Sequence, residues 1–247
     1  MADIIPSVFA KIVRALWQVA SGDPFWRYRL AEIVARAISS DFTVSEYGRN
    51  WPRDEGFTRS MERFEGCASV RSLERKWMLK ETAKLVQTIE GDTAECGTWR
   101  GGSSWLLCKG LGRTHHAFDS FEGLSEPDSR DGSHFQKGDL AVSEEEFRTQ
   151  MGDCENLRVY KGWIPTRFTE VVDRRFCFVH VDVDLYQPTR DAVEFFYPRL
   201  SRGGILLVDD YGFFICPGAR DAIDDFFRDK PEPVLEIPTG QGLIIKQ

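Results

Sequence analysis

The sequence predicts an α/β protein built on a mostly parallel seven-stranded sheet that ends in an antiparallel hairpin, with a helical extension ahead of it. Three observations carry that expectation. From Thr93 onward short apolar strands alternate with helices, the pattern of a parallel sheet covered on both faces. The first of those strands runs straight into a glycine-rich turn that opens a helix. The last two strands are separated only by Pro238-Thr-Gly-Gln-Gly242, too short for a crossover and therefore a hairpin.

The elements follow in order. Between residues 5 and 40 apolar side chains recur at helical spacing, Phe9, Ile12, Leu16 and Val19, then Leu30, Ile33, Val34 and Ile38. This predicts two amphipathic helices broken near residues 22–24. Residues 40–72 are polar and aromatic, with Tyr47, Trp51, Phe57 and Phe64 but no clean period. They read as irregular or weakly helical, so residues 1–70 are assigned to a helical extension or lid and 71–247 to the main domain. Strong helix formers with Leu73, Trp77, Leu79, Leu85 and Val86 predict a helix over 70–89, closed by Gly91. Strands are predicted at 93–96, 114–119, 157–161, 176–182, 204–208, 234–237 and 243–246. Helices fall at 103–111, 144–151, 165–172, 188–199 and 218–228.

Composition narrows the function. With 32 Lys and Arg against 39 Asp and Glu the net charge is −7, and no basic run is present to track a phosphate backbone. Nucleic acid is not the expected partner. The apolar stretch near the N-terminus is interrupted by Lys11 and Arg14, so it predicts no membrane span, and a cytoplasmic location is the default expectation. The six cysteines are scattered without a CxxC pair and read as reduced packing residues.

Two constellations carry chemistry. Glu95-Cys-Gly-Thr-Trp-Arg-Gly-Gly-Ser103 places glycines where the backbone turns tightly in front of a helix N-terminus. On its own this is equally a plain structural turn. The next strand, however, ends in Phe118-Asp119-Ser120, where nucleotide-binding sheets place an acid against ribose hydroxyls. The second constellation is acidic: one apolar strand runs into Asp182-Val-Asp184 and the next into Asp209-Asp210. Four carboxylates at the ends of two buried strands need compensation, either from neighbouring arginines such as Arg174, Arg175 and Arg190 or from a hard divalent cation such as Mg²⁺. His180 alternates with valines along its strand and reads as a hydrogen-bonded core residue, whereas Trp163 lies where a planar base can stack or where a core can close.

Taken in order, the segments Ala94–Ser104, Phe118–Leu124, Lys161-Gly-Trp163, Val181–Thr189 and Gly203–Tyr211 resemble the macrocin O-methyltransferase (TylF-like) family, over residues 70–247. The resemblance implies a class I methyltransferase sheet of the Rossmann-like type. It also implies S-adenosylmethionine held by Glu95, Gly97, Gly101, Ser103, Asp119, Ser120, Gly162 and Trp163, and Mg²⁺ on Asp182, Asp209 and Asp210. Asp184 matches the general base, and the expected acceptor is a hydroxyl of a sugar, glycan or related small molecule. Relatives are often homodimers, an assembly that this sequence does not itself specify. Because the methyl donor carries its own leaving group, the protein need supply mainly orientation and a deprotonated oxygen, the proton going to Asp184. A catechol-like vicinal diol meets the same demands. An NAD-dependent oxidoreductase shares the glycine loop and ribose acid but requires GxGxxG, which is not what this loop spells, and leaves the four acids without a task.

Overall fold

The computed structural model describes residues 54–64 and 73–247, together with helical positions scattered between residues 10 and 38. Those scattered positions lie where the two N-terminal helices are predicted; the break between them, most of the stretch from 40 to 72 and Cys67 lie outside the described residues. The chain divides into two compact units, Met1–Arg53 and Asp54–Gln247. The expected division at 70/71 thus falls inside the second unit.

Helix α1, Glu55–Glu62, occupies part of the stretch expected to be irregular or weakly helical. Asp54 caps it by accepting from the Phe57 amide at 2.8 Å, and Phe57 and Met61, four residues apart, are its buried face. Two turns give too short a period to stand out from the sequence, and Gly56 weakens the helical signal further. Helix α2, Leu73–Ala83, continues into a 3₁₀ turn at Lys84–Val86.

The sheet then assembles from β1 (Asp92–Cys96), β2 (His115–Asp119), β3 (Leu157–Lys161), β4 (Phe176–Val181), β5 (Leu200–Val208), β6 (Leu235–Glu236) and β7 (Gly242–Ile245). Its order is β3-β2-β1-β4-β5-β7-β6. The first five strands pair in parallel, while β7 is antiparallel to both β5 and β6. The fold expectation therefore holds, hairpin included. From β1 the chain works outward to β3 and then returns to β4 on the other side of β1, so strand order reverses between β1 and β4, where open α/β sheets form a crevice at the strands' carboxyl ends.

Helices α3 (Gly102–Leu111), α4 (Glu144–Gln150), α5 (Tyr186–Phe196) and α6 (Pro217–Phe227) cover the sheet. Ser143 caps α4 by accepting from the Glu146 amide at 3.1 Å, with three acids in the first turn, and Pro217 begins α6. Successive strand residues feed different cores: Phe118 joins Phe168, Phe176 and Phe196 with α5, while Ala117 joins Cys108, Phe147 and Met151 from α3 and α4. Covered on both faces, β4 is buried at every residue. The helix expected over 165–172 is reduced to a 3₁₀ turn at Phe168–Val171, because Thr166 folds back on Trp163, its amide donating to that carbonyl at 2.8 Å. Five cysteines among the described residues are free and buried. No helix of the described residues is long and apolar enough to cross a membrane.

Candidate active site

A cavity of about 490 Å³ opens at the carboxyl ends of β1, β2, β4 and β5. Its lining includes Gly97, Asp119, Ser120 and Trp163 from the glycine-loop side, and Asp182, Asp184 and Asp210 from the acidic strand ends. The two sequence constellations thus share one space.

The glycine loop is shaped by backbone that few residues tolerate. Gly97 has φ +80°, and a Cβ there would overlap the carbonyl oxygen of Asp182. Gly101 caps α3 with φ +92°. Asp119 ties the loop down: one carboxylate oxygen accepts from the amides of Thr98 at 2.8 Å and Trp99 at 3.0 Å, and the other from the Phe121 amide at 2.7 Å. Asp119 therefore borders the cavity and at the same time organises the loop, a role its position at the end of a strand did not reveal. Asp119→Ala removes these three charge-assisted amide bonds, each worth about 1.5–3 kcal/mol, together with a longer one from the Thr98 hydroxyl, and is expected to weaken S-adenosylhomocysteine binding by more than about tenfold in calorimetry.

Not every residue expected at the donor reaches the cavity. Glu95 has no exposed surface; its carboxylate accepts from the Ser104 hydroxyl and lies 2.8 Å from His180 Nδ1. It is an interior group beneath the loop, placed there because strand alternation turns its side chain onto the face that α3 covers. Gly101 packs against Met151 and Phe147, and Ser103 is buried in the first turn of α3. Gly162 contributes backbone, its amide donating to the Asp119 carbonyl at 2.9 Å. Ser120 lines the cavity with its hydroxyl already donating to the Gly123 carbonyl at 3.0 Å.

On the acidic side, Asp209 lies behind the cavity, 1% exposed, while Asp182, Asp184 and Asp210 face it. The three expected metal carboxylates do not form one compact group: His180, Asp182 and Asp209 converge within 4.8 Å, and so do Asp184, Asp210 and Cys216. Two cations from the first turn of α2 reach in, both missed in the sequence. Arg75 pairs with Asp209 and lies 3.6 Å from Asp210, and Lys76 Nζ lies 3.7 Å from Asp182. A signal for Lys76 existed: it shares a buried helical stripe with Leu79 and Ala83. Gln241, from the turn before β7, was missed as well; its amide donates to Asp209 Oδ1 at 2.7 Å.

Crowding shifts the protonation of these acids. Burial and the Asp182 charge push Asp184 up to about 7. Burial and Asp184 push Asp210 well above the usual carboxylate range, and burial with Asp209 raises Asp182. Asp209 goes the other way: burial opposes ionisation, but the His180 hydrogen bond and the Lys76 and Arg75 charges hold its carboxyl low. Between the Glu95 and Asp209 carboxylates, His180 rises to about 9 although burial opposes it. A shelf of carboxylates that repel one another suits a hard divalent cation, which relieves that repulsion. Asp184 is also set in strained backbone, φ +59°, with its amide 3.2 Å from Asp210 Oδ2.

Comparison with known proteins agrees with this architecture. The chain is 29% identical over 203 residues to demethyldecarbamoylnovobiocin O-methyltransferase of Streptomyces niveus, covering 74% of this chain and 72% of that one. It is 31% identical over 197 residues, 72% of this chain and 70% of the other, to 8-demethyl-8-(2,3-dimethoxy-alpha-L-rhamnosyl)-tetracenomycin-C 4'-O-methyltransferase of Streptomyces olivaceus. Among solved structures the O-methyltransferase NovP superposes with a TM-score of 0.58 at 27% identity, over 71% of this chain and 80% of that one. A calicheamicin methyltransferase reaches 0.61 at 16% identity, over 82% and 99%, a likeness of fold. The family model for macrocin-O-methyltransferase (TylF) matches residues 34–239, and the chain belongs to that family of O-methyltransferases.

Proposed function

We propose that this chain transfers a methyl group from S-adenosylmethionine to a hydroxyl of a sugar-bearing natural product, with Mg²⁺ at the acidic shelf. The observation that carries the reading is the single cavity bordered by both the glycine loop and Asp182, Asp184 and Asp210. Relatives supply the acceptor class, since one is named for the 4' oxygen of a rhamnosyl tetracenomycin and another as mycinamicin III 3''-O-methyltransferase.

When bound, the donor supplies an activated methyl on a sulfonium leaving group, and the cation supplies positive charge beside the acceptor oxygens. The chain does the rest. The loop tethered by Asp119, with Trp163 on the cavity wall, holds the donor. Asp182, Asp209 and Asp210 are the carboxylates that would hold the cation, with Arg75 and Lys76 now paired to them. Asp184 accepts the acceptor hydroxyl's proton as the oxygen attacks. Apolar lining by Leu124, Leu140 and Ile164 limits water around the reacting atoms.

The test is methyl transfer from labelled donor to a panel of deoxysugar glycosides and simple catechols, with Mg²⁺ or with a chelator. Transfer to a glycoside that stops on chelation is the expected result. Transfer confined to catechols would reassign the acceptor, and undiminished transfer in chelator would remove the metal.

A further inference from the structure

A buried polar chain crosses the sheet beneath the site, and the proposed transfer chemistry uses only its Asp209 end. Strand register builds it. Glu95 pairs with His180 across β1 and β4, and His180 pairs with Leu207 across β4 and β5. Asp209 is two residues beyond Leu207, so all three side chains stand on one face. His180 Nδ1 lies 2.8 Å from Glu95 Oε1, and His180 Nε2 lies 3.3 Å from Asp209 Oδ1. Glu95 and His180 have no exposed surface.

The hydrogen-bond inventory then fixes the roles. An ionised carboxylate only accepts, so an imidazole facing a carboxylate at each nitrogen must donate from both. That leaves it no lone pair for a metal, although it stands within 4.8 Å of Asp182 and Asp209. On Asp209, Oδ1 is held by His180 and by Gln241 at 2.7 Å, while Oδ2 is the oxygen paired with Arg75. With one oxygen fixed, the other can turn in only one direction.

We infer that His180, oriented by Glu95, is a positioning residue that fixes the Asp209 carboxylate so that a single oxygen is presented to the divalent cation. The inference rests on the Mg²⁺ reading above. It also gives Glu95 a task different from donor binding: Glu95 orients the imidazole, which orients the carboxylate. Groups that orient metal ligands in this way typically change metal affinity 10–100-fold when removed.

The test is calorimetric titration of Mg²⁺, and separately of S-adenosylhomocysteine, into the full chain. His180→Asn is expected to weaken Mg²⁺ binding by about 10–100-fold and to leave S-adenosylhomocysteine affinity unchanged. Glu95→Gln serves as the conservative variant: its amide donates to Nδ1 of a neutral imidazole whose Nε2–H still reaches Asp209, so Mg²⁺ affinity stays near wild type. If His180→Asn does not fold, the double variant Glu95→Leu/His180→Leu removes the two opposite charges together and carries the same expectation. Wild-type Mg²⁺ affinity in the His180 variants, or parallel loss of both ligands, overturns the inference and leaves the metal reading in place. Absence of Mg²⁺ binding by the wild type overturns both.

Discussion

Asp184→Asn is expected to slow methyl transfer by about 10²–10⁴-fold, the range a positioned general base contributes, with S-adenosylhomocysteine affinity unchanged. The substitution is chosen for the backbone. Asp184 has φ +59°, and asparagine is among the few residues that accept that conformation, so the turn into α5 survives. What changes is the ability to take a proton. Burial and the neighbouring Asp182 raise the carboxyl's affinity for a proton, and asparagine offers no basic oxygen in its place. Single-turnover transfer from labelled donor, paired with calorimetry of S-adenosylhomocysteine, checks this. A parallel fall in rate and donor affinity would show that Asp184 holds the site's shape instead.

The largest expected effect on stability is at Gly97. Gly97→Ala must both adopt φ +80° and place a Cβ into the carbonyl oxygen of Asp182, a backbone atom that cannot rotate away. Relief requires β1 and β4 to separate where the Asp182 amide donates to the Cys96 carbonyl at 2.9 Å, and it also strains the bond from the Gly97 amide to the Phe118 carbonyl of β2, likewise 2.9 Å. A loss on the order of 4 kcal/mol or more in urea unfolding is expected, the size seen when a substitution forces packed backbone apart. Any folded fraction is expected to bind neither S-adenosylhomocysteine nor Mg²⁺ well, because both halves of the site hang on these two strand ends. Near wild-type stability would show that the exits of β1 and β4 move independently.

Much of this architecture was written in local sequence. The continuous apolar run of β4, the five residues between the last two strands and the glycine loop before α3 each act over a few residues, so periodicity and turn chemistry expose them. The same local logic marked Asp182, Asp184, Asp209 and Asp210 as strand-end acids, and the structure brings three of them to the cavity. The stretch holding helix α1 was read only as irregular or weakly helical, without bounds, because two turns carry too little pattern.

Which groups face one another was decided elsewhere. That Glu95 turns inward toward His180, that Asp209 stands behind the cavity, and that Arg75, Lys76 and Gln241 converge on the acids all depend on strand register and on α2 packing over the strand ends. The sequence by itself determined the order of elements and the chemistry each strand end carries, because those follow from neighbours along the chain. Only the tertiary structure decided which carboxylates are presented, which are paired and which are hidden, because burial and charge pairing arise between residues far apart along the chain, 134 positions for Arg75 and Asp209.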